Sequence, residues 1–525
     1  MKLPWLRPAQ GRRRANPDEH VSVMQPWTIW VGAFVVLVVG AVSGWVLLGT
    51  FGGGSSQDKV RLEILKLTGS IVLGTGGGVA LLLAARRQRA TEVDIAYRKV
   101  DATERRVTEL YTAAAEQLGS DKAAVRLAGL YALERLAQYN PDHRQTIVDV
   151  ICAYLRMPYT PPSENTHSAR VGGGRARGLR EPNRSAMSPS PIRTVTTIAS
   201  TFNHVIDPRE EQRQEFQVRM AAQRLLTAHL RPEPNEQGDP TNWKFWPNVD
   251  IDLTGAVLTD WDMCGCRADR ATFTNAEFRG DSNFYNATFR LGARFSNAEL
   301  RGTANFDNVT FGVGGAWFSS VTFEGRAEFL KATFEGSADF RKATFEDSAQ
   351  FLEATFRKSP WFLGAMFEKD AMFSGATFED YTLFSGVTFK RLTDFQETTF
   401  KGQACFKKST FKVIAGFRKS NFEGIALFEE ATFGGMAEFR GSTFEGAVSF
   451  QEATFEGPAK FSLAAFHVGV DFRGARAIID ISAGVFHEWP PGWELREYTH
   501  YMDPTGIWGT LVSESDDAAS VDAVD

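Results

Sequence analysis

The chain has 525 residues, a formal net charge of −5 and 23% charged residues, an ordinary balance for a folding chain that excludes a global polycation for nucleic acid. Phenylalanine is the anomaly: 42 Phe against 10 Tyr exclude a generic mixed core and require an architecture that uses Phe repeatedly. Four cysteines, Cys152, Cys264, Cys266 and Cys405, are too few and too scattered for a disulfide framework.

Residues 1–26 form a basic tail with the triplet Arg12, Arg13 and Arg14. Residues 27–51 then make an uncharged run of 25, and residues 67–85 a second of 19. At ~1.5 Å per residue either is long enough for ~30 Å of hydrocarbon. The first run is too long for a signal-peptide core, lacks a small-x-small cleavage site, and is soon followed by the second. The expectation is a two-helix transmembrane hairpin, with 52–66 as an external loop. Arg12–Arg14 before it and Arg86, Arg87 and Arg89 after it place both termini in the cytoplasm, a multi-pass cell-membrane protein. Gly40/Gly44 and Gly74/Gly78 are small pairs at the spacing that lets helices approach. The glycine run 74–78 lacks the following Lys-Ser/Thr of a phosphate loop. Neither run carries an ionisable group, which favours an anchor over an ion or proton pathway.

Residues 86–158 read as a cytoplasmic helical region. Val93, Val100, Val107 and Ala114 recur every seven, with Ala96, Thr103 and Leu110 between them. That spacing fits a short coiled-coil seam or, equally, a core-facing helix. Gly119-Ser120-Asp121 breaks the pattern; Leu127, Leu130, Leu133 and Leu136 stripe the next helix, and Ile147, Val148, Ile151 and Leu155 another. This pair resembles one helical repeat of the HEAT type and needs a neighbour or a second subunit to bury its face, so a homo-oligomer through the hairpin or this region is the partner expectation. Residues 159–195, rich in Pro, Ser, Gly and Arg, are a flexible linker without interleaved aromatics to stack on bases. Residues 196–235 hold one more helix, ending before Pro232.

From Leu253 to Phe278 apolar centres fall every five residues, with a mostly small residue two before each. Beyond that the spacing alternates five and six, with one extra residue at 312–317. Two ladders of period eleven follow, Phe318 to Phe472 and Phe323 to Phe466, and their 29 positions are all Phe. A fixed short period over so many residues means a solenoid. Helix does not fit, because the five/six halves put paired Phe on opposite sides and Gly and Thr are frequent. Small-x-Phe triplets such as Ala338-Asp339-Phe340 suit short strands with two inward residues flanking one outward. Corners fall at pairs such as Arg341-Lys342 or Glu335-Gly336, with Gly supplying the turn.

Ala338-Asp339-Phe340-Arg341-Lys342, and more loosely Ala276-Glu277-Phe278-Arg279-Gly280, resemble the Ala-Asp/Asn-Leu/Phe-x-x unit of the pentapeptide-repeat family. The resemblance implies a right-handed quadrilateral β-helix over 250–475, with the Phe and the small residue two before it inward. The fold class is therefore mixed: transmembrane hairpin, α-helical region, then β-solenoid. The extra residue of every second unit is expected as a corner bulge. The N-terminal arrangement also resembles bacterial membrane-anchored members of the family. Residues 476–525 are an end cap, with Trp489 and Trp493, and an acidic tail.

No catalytic, cofactor-binding or metal-binding residues are assigned. The eight His form no spaced pair, and no Ser-His-Asp, HExxH or Walker pattern occurs. Cys264 and Cys266 resemble half a metal site, but packing accounts better for Cys266, which falls on an inward position. The basic cluster Lys401, Lys407, Lys408, Lys412, Arg418 and Lys419 reads as neutralised by Glu423, Glu429 and Glu430 one coil above. The functional expectation is a membrane-anchored, non-enzymatic scaffold presenting the rod to a cytoplasmic protein partner. Some pentapeptide-repeat proteins mimic duplex DNA and bind topoisomerases; here the acids are interleaved with Lys and Arg, which disfavours that alternative.

Overall fold

The structure, a computed structural model, describes residues 34, 38–46, 49, 58–162, 208–233, 241–479, 486–497 and 507–513. The basic tail, most of the first apolar run, the linker from residue 163, the start of segment 196–235 and the acidic residues from 514 lie outside these. Two compact units are present, Met1–Thr108 and Glu109–Asp525.

No helix among the described residues is long and apolar enough to cross a membrane. This overturns the transmembrane hairpin, and with it the multi-pass assignment, the cytoplasmic placement of the termini and the resemblance to membrane-anchored members. The second apolar run is not a helix of its own. It lies inside α1 (Asp58–Leu118, 61 residues), which passes unbroken through Lys59, Arg61, Glu63 and Lys66 and on through Arg86. Residues 58–66, read as part of a loop, are thus helical. Five glycines within 67–85 also leave that run short of side chains to bury.

Three helices, α2 (Ala123–Tyr139), α3 (Arg144–Arg156) and α4 (Pro208–Leu230), stand at the start of the repeat region. Their stripes Leu130, Leu133, Ile147, Ile151, Leu155, Val218 and Leu226 are buried. His229 is also buried, stacked on Trp246 with ring centroids 3.9 Å apart. Its Nδ1 lies 2.6 Å from the Lys244 carbonyl and its Nε2 2.8 Å from Glu134.

Residues 251–478 form a β-solenoid of short parallel strands, most of them two residues long, in four columns. Ile251 pairs with Ala271, a first coil of 20 residues; Ala271 pairs with Ala293, and Ala293 with Ala316 across the extra residue. From Ala316 on the step is 22, as in Ala316↔Ala338 and Phe323↔Phe345. Each ring lies flat on the ring one coil away: Phe318 on Phe340 at 4.9 Å and 2°, Phe345 on Phe367 at 4.6 Å and 3°. Rings of adjacent faces meet edge-on, as Phe340 and Phe351 do at 5.5 Å and 88°. Both geometries are favoured by the aromatic quadrupole. Every ladder Phe is buried except Phe466, which ends its column with nothing stacked beyond it among the described residues.

The corners differ from expectation in two respects. Tight corners follow one ladder: Ala343 N–H donates to the Phe340 carbonyl (3.1 Å), and Lys342 sits in the left-handed region at φ 57°. The same position holds Asn275, Asn286, Asn297 and Asn308 early in the rod and Lys331, Glu353, Lys408 and Glu430 later, all left-handed. The turn is therefore made mostly without Gly. The sixth residue shifts the register once, where Thr259↔Arg279 is followed by Trp261↔Ser282; further along it makes no bulge but widens the other corner, Glu346-Asp347-Ser348, while Phe345↔Phe367 and Ala349↔Ala371 keep register. Glycine serves at some wide corners for close approach. A Cβ on Gly424 would collide with the Gly402 carbonyl one coil away.

The first end of the stack is covered, and the far end in part. At the first coil, Gln223 of α4 donates to the Thr259 carbonyl (2.9 Å) and accepts from the Thr259 N–H (3.2 Å). Gln145 of α3 does the same for Asp250, at 2.9 Å both ways. Each side-chain amide thus takes the place of a neighbouring strand and satisfies the ladder edge. Arg156 pairs with Asp252, and Arg231 donates to the Cys264 carbonyl (2.9 Å). At the far end Trp489 packs on Phe461 (5.8 Å) and Phe455 (5.3 Å), and a strand over Trp508–Ser513 pairs antiparallel with Arg476–Ile478.

Candidate protein-binding face

With Phe and Ala inward, the four outward columns set the rod's surface. Two are Thr ladders, Thr322, Thr344, Thr388 and Thr410 in one and Thr333, Thr355, Thr377 and Thr399 in the other. β-branched Thr suits a half-exposed strand position. A third column is mostly polar, with Glu328, Gln350 and Asp394. The fourth is different: Trp317, Asp339, Trp361, Leu383, Cys405 and Leu427 in successive register. Five coil steps at ~4.8 Å make it about 24 Å long.

The acid in this column is recessed. Asp339 is 1% exposed and held by Arg341 through bonds of 2.9 and 2.8 Å, and the guanidinium lies 5.3 Å over the Trp361 ring. Trp317 approaches Trp361 edge-on at 6.5 Å. Cys405 is also sunk, its Sγ 3.1 Å from the Ser385 hydroxyl. Trp361, Leu383 and Leu427 remain half-exposed, and Leu363 and Ile425 beside them are exposed. The result is a flat apolar strip with one internally neutralised charge pair, suited to bury an apolar side of another chain.

Four of the six residues of the basic cluster have ion-pair partners. Lys407 pairs with Glu429 and Lys408 with Glu430 (3.4 Å), one coil above. Lys401 instead reaches down to Glu379 (3.8 Å), and Lys419 to Glu397 (3.5 Å). The coil-to-coil pairs Glu335–Arg357 and Glu368–Lys390 likewise break up acidic runs. Cys266 lies under α4, donates to the Thr227 carbonyl (3.4 Å), and burial pushes its thiol up to about 12. Cys152, in α3, is likewise pushed up to about 12 by burial. Thiols held neutral in this way are inert.

A cleft of about 540 Å³ lies among α2, α3 and α4, lined by Arg126, Tyr154, Tyr159, Glu211, Glu215 and Arg219. Arg219 donates to the Leu155 and Met157 carbonyls (both 2.9 Å) and to Glu215 (2.7 Å), beneath the Tyr159 ring. Glu215 also holds Arg126 and the Tyr154 hydroxyl. Burial, then the Glu215 bond, pushes the Tyr154 phenol up. These bonds tie α4 to α3, which is a structural use of the cluster.

The apolar column was not singled out in the sequence. Its signal, the residue before Phe read every 22 positions, is present there but has no local period. No curated protein and no solved structure matches the chain. A family model described as pentapeptide repeats (9 copies) matches five times, over residues 284–333, 329–377, 373–420, 417–462 and 439–477. Together with the four-column stack, this makes residues 284–477 a pentapeptide-repeat β-solenoid.

Proposed function

We propose that this protein is a non-enzymatic scaffold whose rod binds a protein partner along the Trp317–Leu427 column. The carrying observation is the contrast between faces: one outward column of Trp and Leu where the others carry Thr or charge. Half-exposed Trp at the surface is the residue type that anchors protein interfaces. The partner presents an apolar helix or strand of matching length, about 24 Å. The covered first coil supports sideways binding, since that end offers no open ladder for another strand.

The test is quantitative recovery of bound proteins with the full chain and two variants. Leu383→Glu places a charge at the centre of the column; Thr355→Glu places the same charge on a Thr face. A partner retained by wild type and Thr355→Glu but lost by at least tenfold with Leu383→Glu supports the reading. Identical recovery by both variants overturns it.

A further inference from the structure

The stretch of α1 from Thr91 to Arg106 is exposed on every side. Val93 (52%) and Val100 (58%) stand open to solvent there, as does Leu110 (52%) one turn beyond. A helix carrying apolar residues of this kind is stabilised chiefly by a partner on its apolar face. The seven-residue register continues one turn further to Ala114, which is buried among the chain's own helices. The register is thus occupied at one end and vacant along the rest.

We propose that α1 pairs with α1 of a second copy of this chain, in a parallel, in-register two-stranded coiled coil over residues 92–111. Val93, Val100 and Val107 take the a positions, and Ala96, Thr103 and Leu110 the d positions. β-branched residues at a favour two parallel strands. The charges point to the same occupant. Asp94 pairs with Arg98 (2.8 Å) and Asp101 with Arg105 (3.1 Å) within the helix, on the b and f positions away from the seam. Lys99 and Glu104 flank the seam at g and e, and neither has an ion-pair partner among the described residues. Five residues apart, they cannot meet on one helix. In a parallel pair g faces e′ of the following heptad, so Lys99 of each copy meets Glu104 of the other, twice over. Antiparallel pairing sets g against g′ and e against e′ and forfeits both contacts. An unrelated partner has no reason to match this self-complementary pattern.

The inference is independent of the rod's partner, but it bears on it: a dimer displays two rods together and raises the effective concentration of the second once the first is bound. Thr103 at d and the short seam make the dimer a weak one, in the micromolar range, on the order of 10⁻⁶ M.

The test uses the full chain in sedimentation velocity across a concentration series. Wild type is expected to move from monomer to dimer. Lys99→Glu, which sets acid against acid twice, is expected to weaken the dimer by roughly tenfold. Lys99→Glu with Glu104→Lys is expected to return to within about threefold of wild type. Disulfide trapping adds the register, in a Cys264→Ser background. Val100→Cys, facing itself across a parallel seam, cross-links on mild oxidation, and Arg98→Cys, on the outer face, does not. A monomer at every concentration, a dimer indifferent to Lys99→Glu, or equal cross-linking of the two cysteine variants each overturns the proposal. The double variant separates loss of dimer from loss of fold: a chain that merely failed to fold would not regain its dimer when Glu104→Lys is added to Lys99→Glu.

Discussion

Replacing Gln223 by Leu removes the side-chain amide that closes the first coil. The residue is 4% exposed and its two bonds to Thr259 measure 2.9 and 3.2 Å. Each bond contributes about 1 kcal/mol net, and a donor or acceptor left unpaired costs about 1–3 kcal/mol. Thr259 is only half-buried, so water recovers part of the loss, leaving roughly 2 kcal/mol at the edge. At about 1.4 kcal/mol per factor of ten, that is ~30-fold in the local opening equilibrium. Hydrogen exchange followed by mass spectrometry reads it directly: peptides spanning 253–262 should exchange about 30-fold faster. In a solenoid each coil contacts only its neighbours, so peptides from 400–440 should be unchanged. Gln223→Glu should be no better than Leu, because one carboxylate oxygen then faces the Thr259 carbonyl. Unchanged protection at 253–262, or an equal rise along the whole rod, would refute the view that Gln223 acts as a surrogate strand.

Three further outcomes follow from the corners and the far cap. Lys342→Asn, at a left-handed position where Asn stands earlier in the rod, should stabilise by about 0.5–1 kcal/mol in urea unfolding. Gly424→Ala should destabilise by roughly 1–3 kcal/mol, because its methyl group meets the Gly402 carbonyl; Gly364→Asn, left-handed with open space around it, should be near neutral by the same assay. His487 accepts from the Ala459 N–H (3.2 Å) and faces the Ile478 carbonyl (2.8 Å); burial lowers its pKa, against the pull of that carbonyl. A lowered folded-state value means the unfolded chain takes the proton first. The cap's stability is therefore full above the ordinary value of 6.5 and falls as pH drops from there toward the lowered value. Fluorescence of Trp489, stacked 5.1 Å from His487, should report this transition, and His487→Gln should abolish it.

The Phe ladders were legible in the sequence because the inside of a narrow coil accepts little else. A position that returns to the same place every 22 residues meets the same two rings each time, so Phe340 and Phe362 answer to one constraint. The outward residues answer to weaker ones. Trp361 and Leu383 are single departures in a column that solvent would fill with Thr or charge, and they carry no local period. Gln145 and Gln223 are less visible still: each is an ordinary helical amide, and its partner lies 105 or 36 residues away. The hairpin was misread because an apolar run looks the same whether it stands alone or lies within a longer helix such as α1. The corner bulge appears only where coils of unequal length meet, at Thr259–Trp261; elsewhere every coil carries the extra residue, and widening a bend, as at Asp347, absorbs it without disturbing the ladder.

The regular 22-residue step gives the rod a phase as well as a length. Inserting one whole coil should add about 4.8 Å and leave every outward column where it was. Inserting eleven residues would satisfy the Phe spacing equally well, yet turn everything beyond it by half a revolution. The Trp361 and Leu383 strip would then face the side opposite to Trp317. Sequence variation in this rod is therefore free to change its reach in whole coils, while a half-coil change splits one continuous surface into two that no single partner can span.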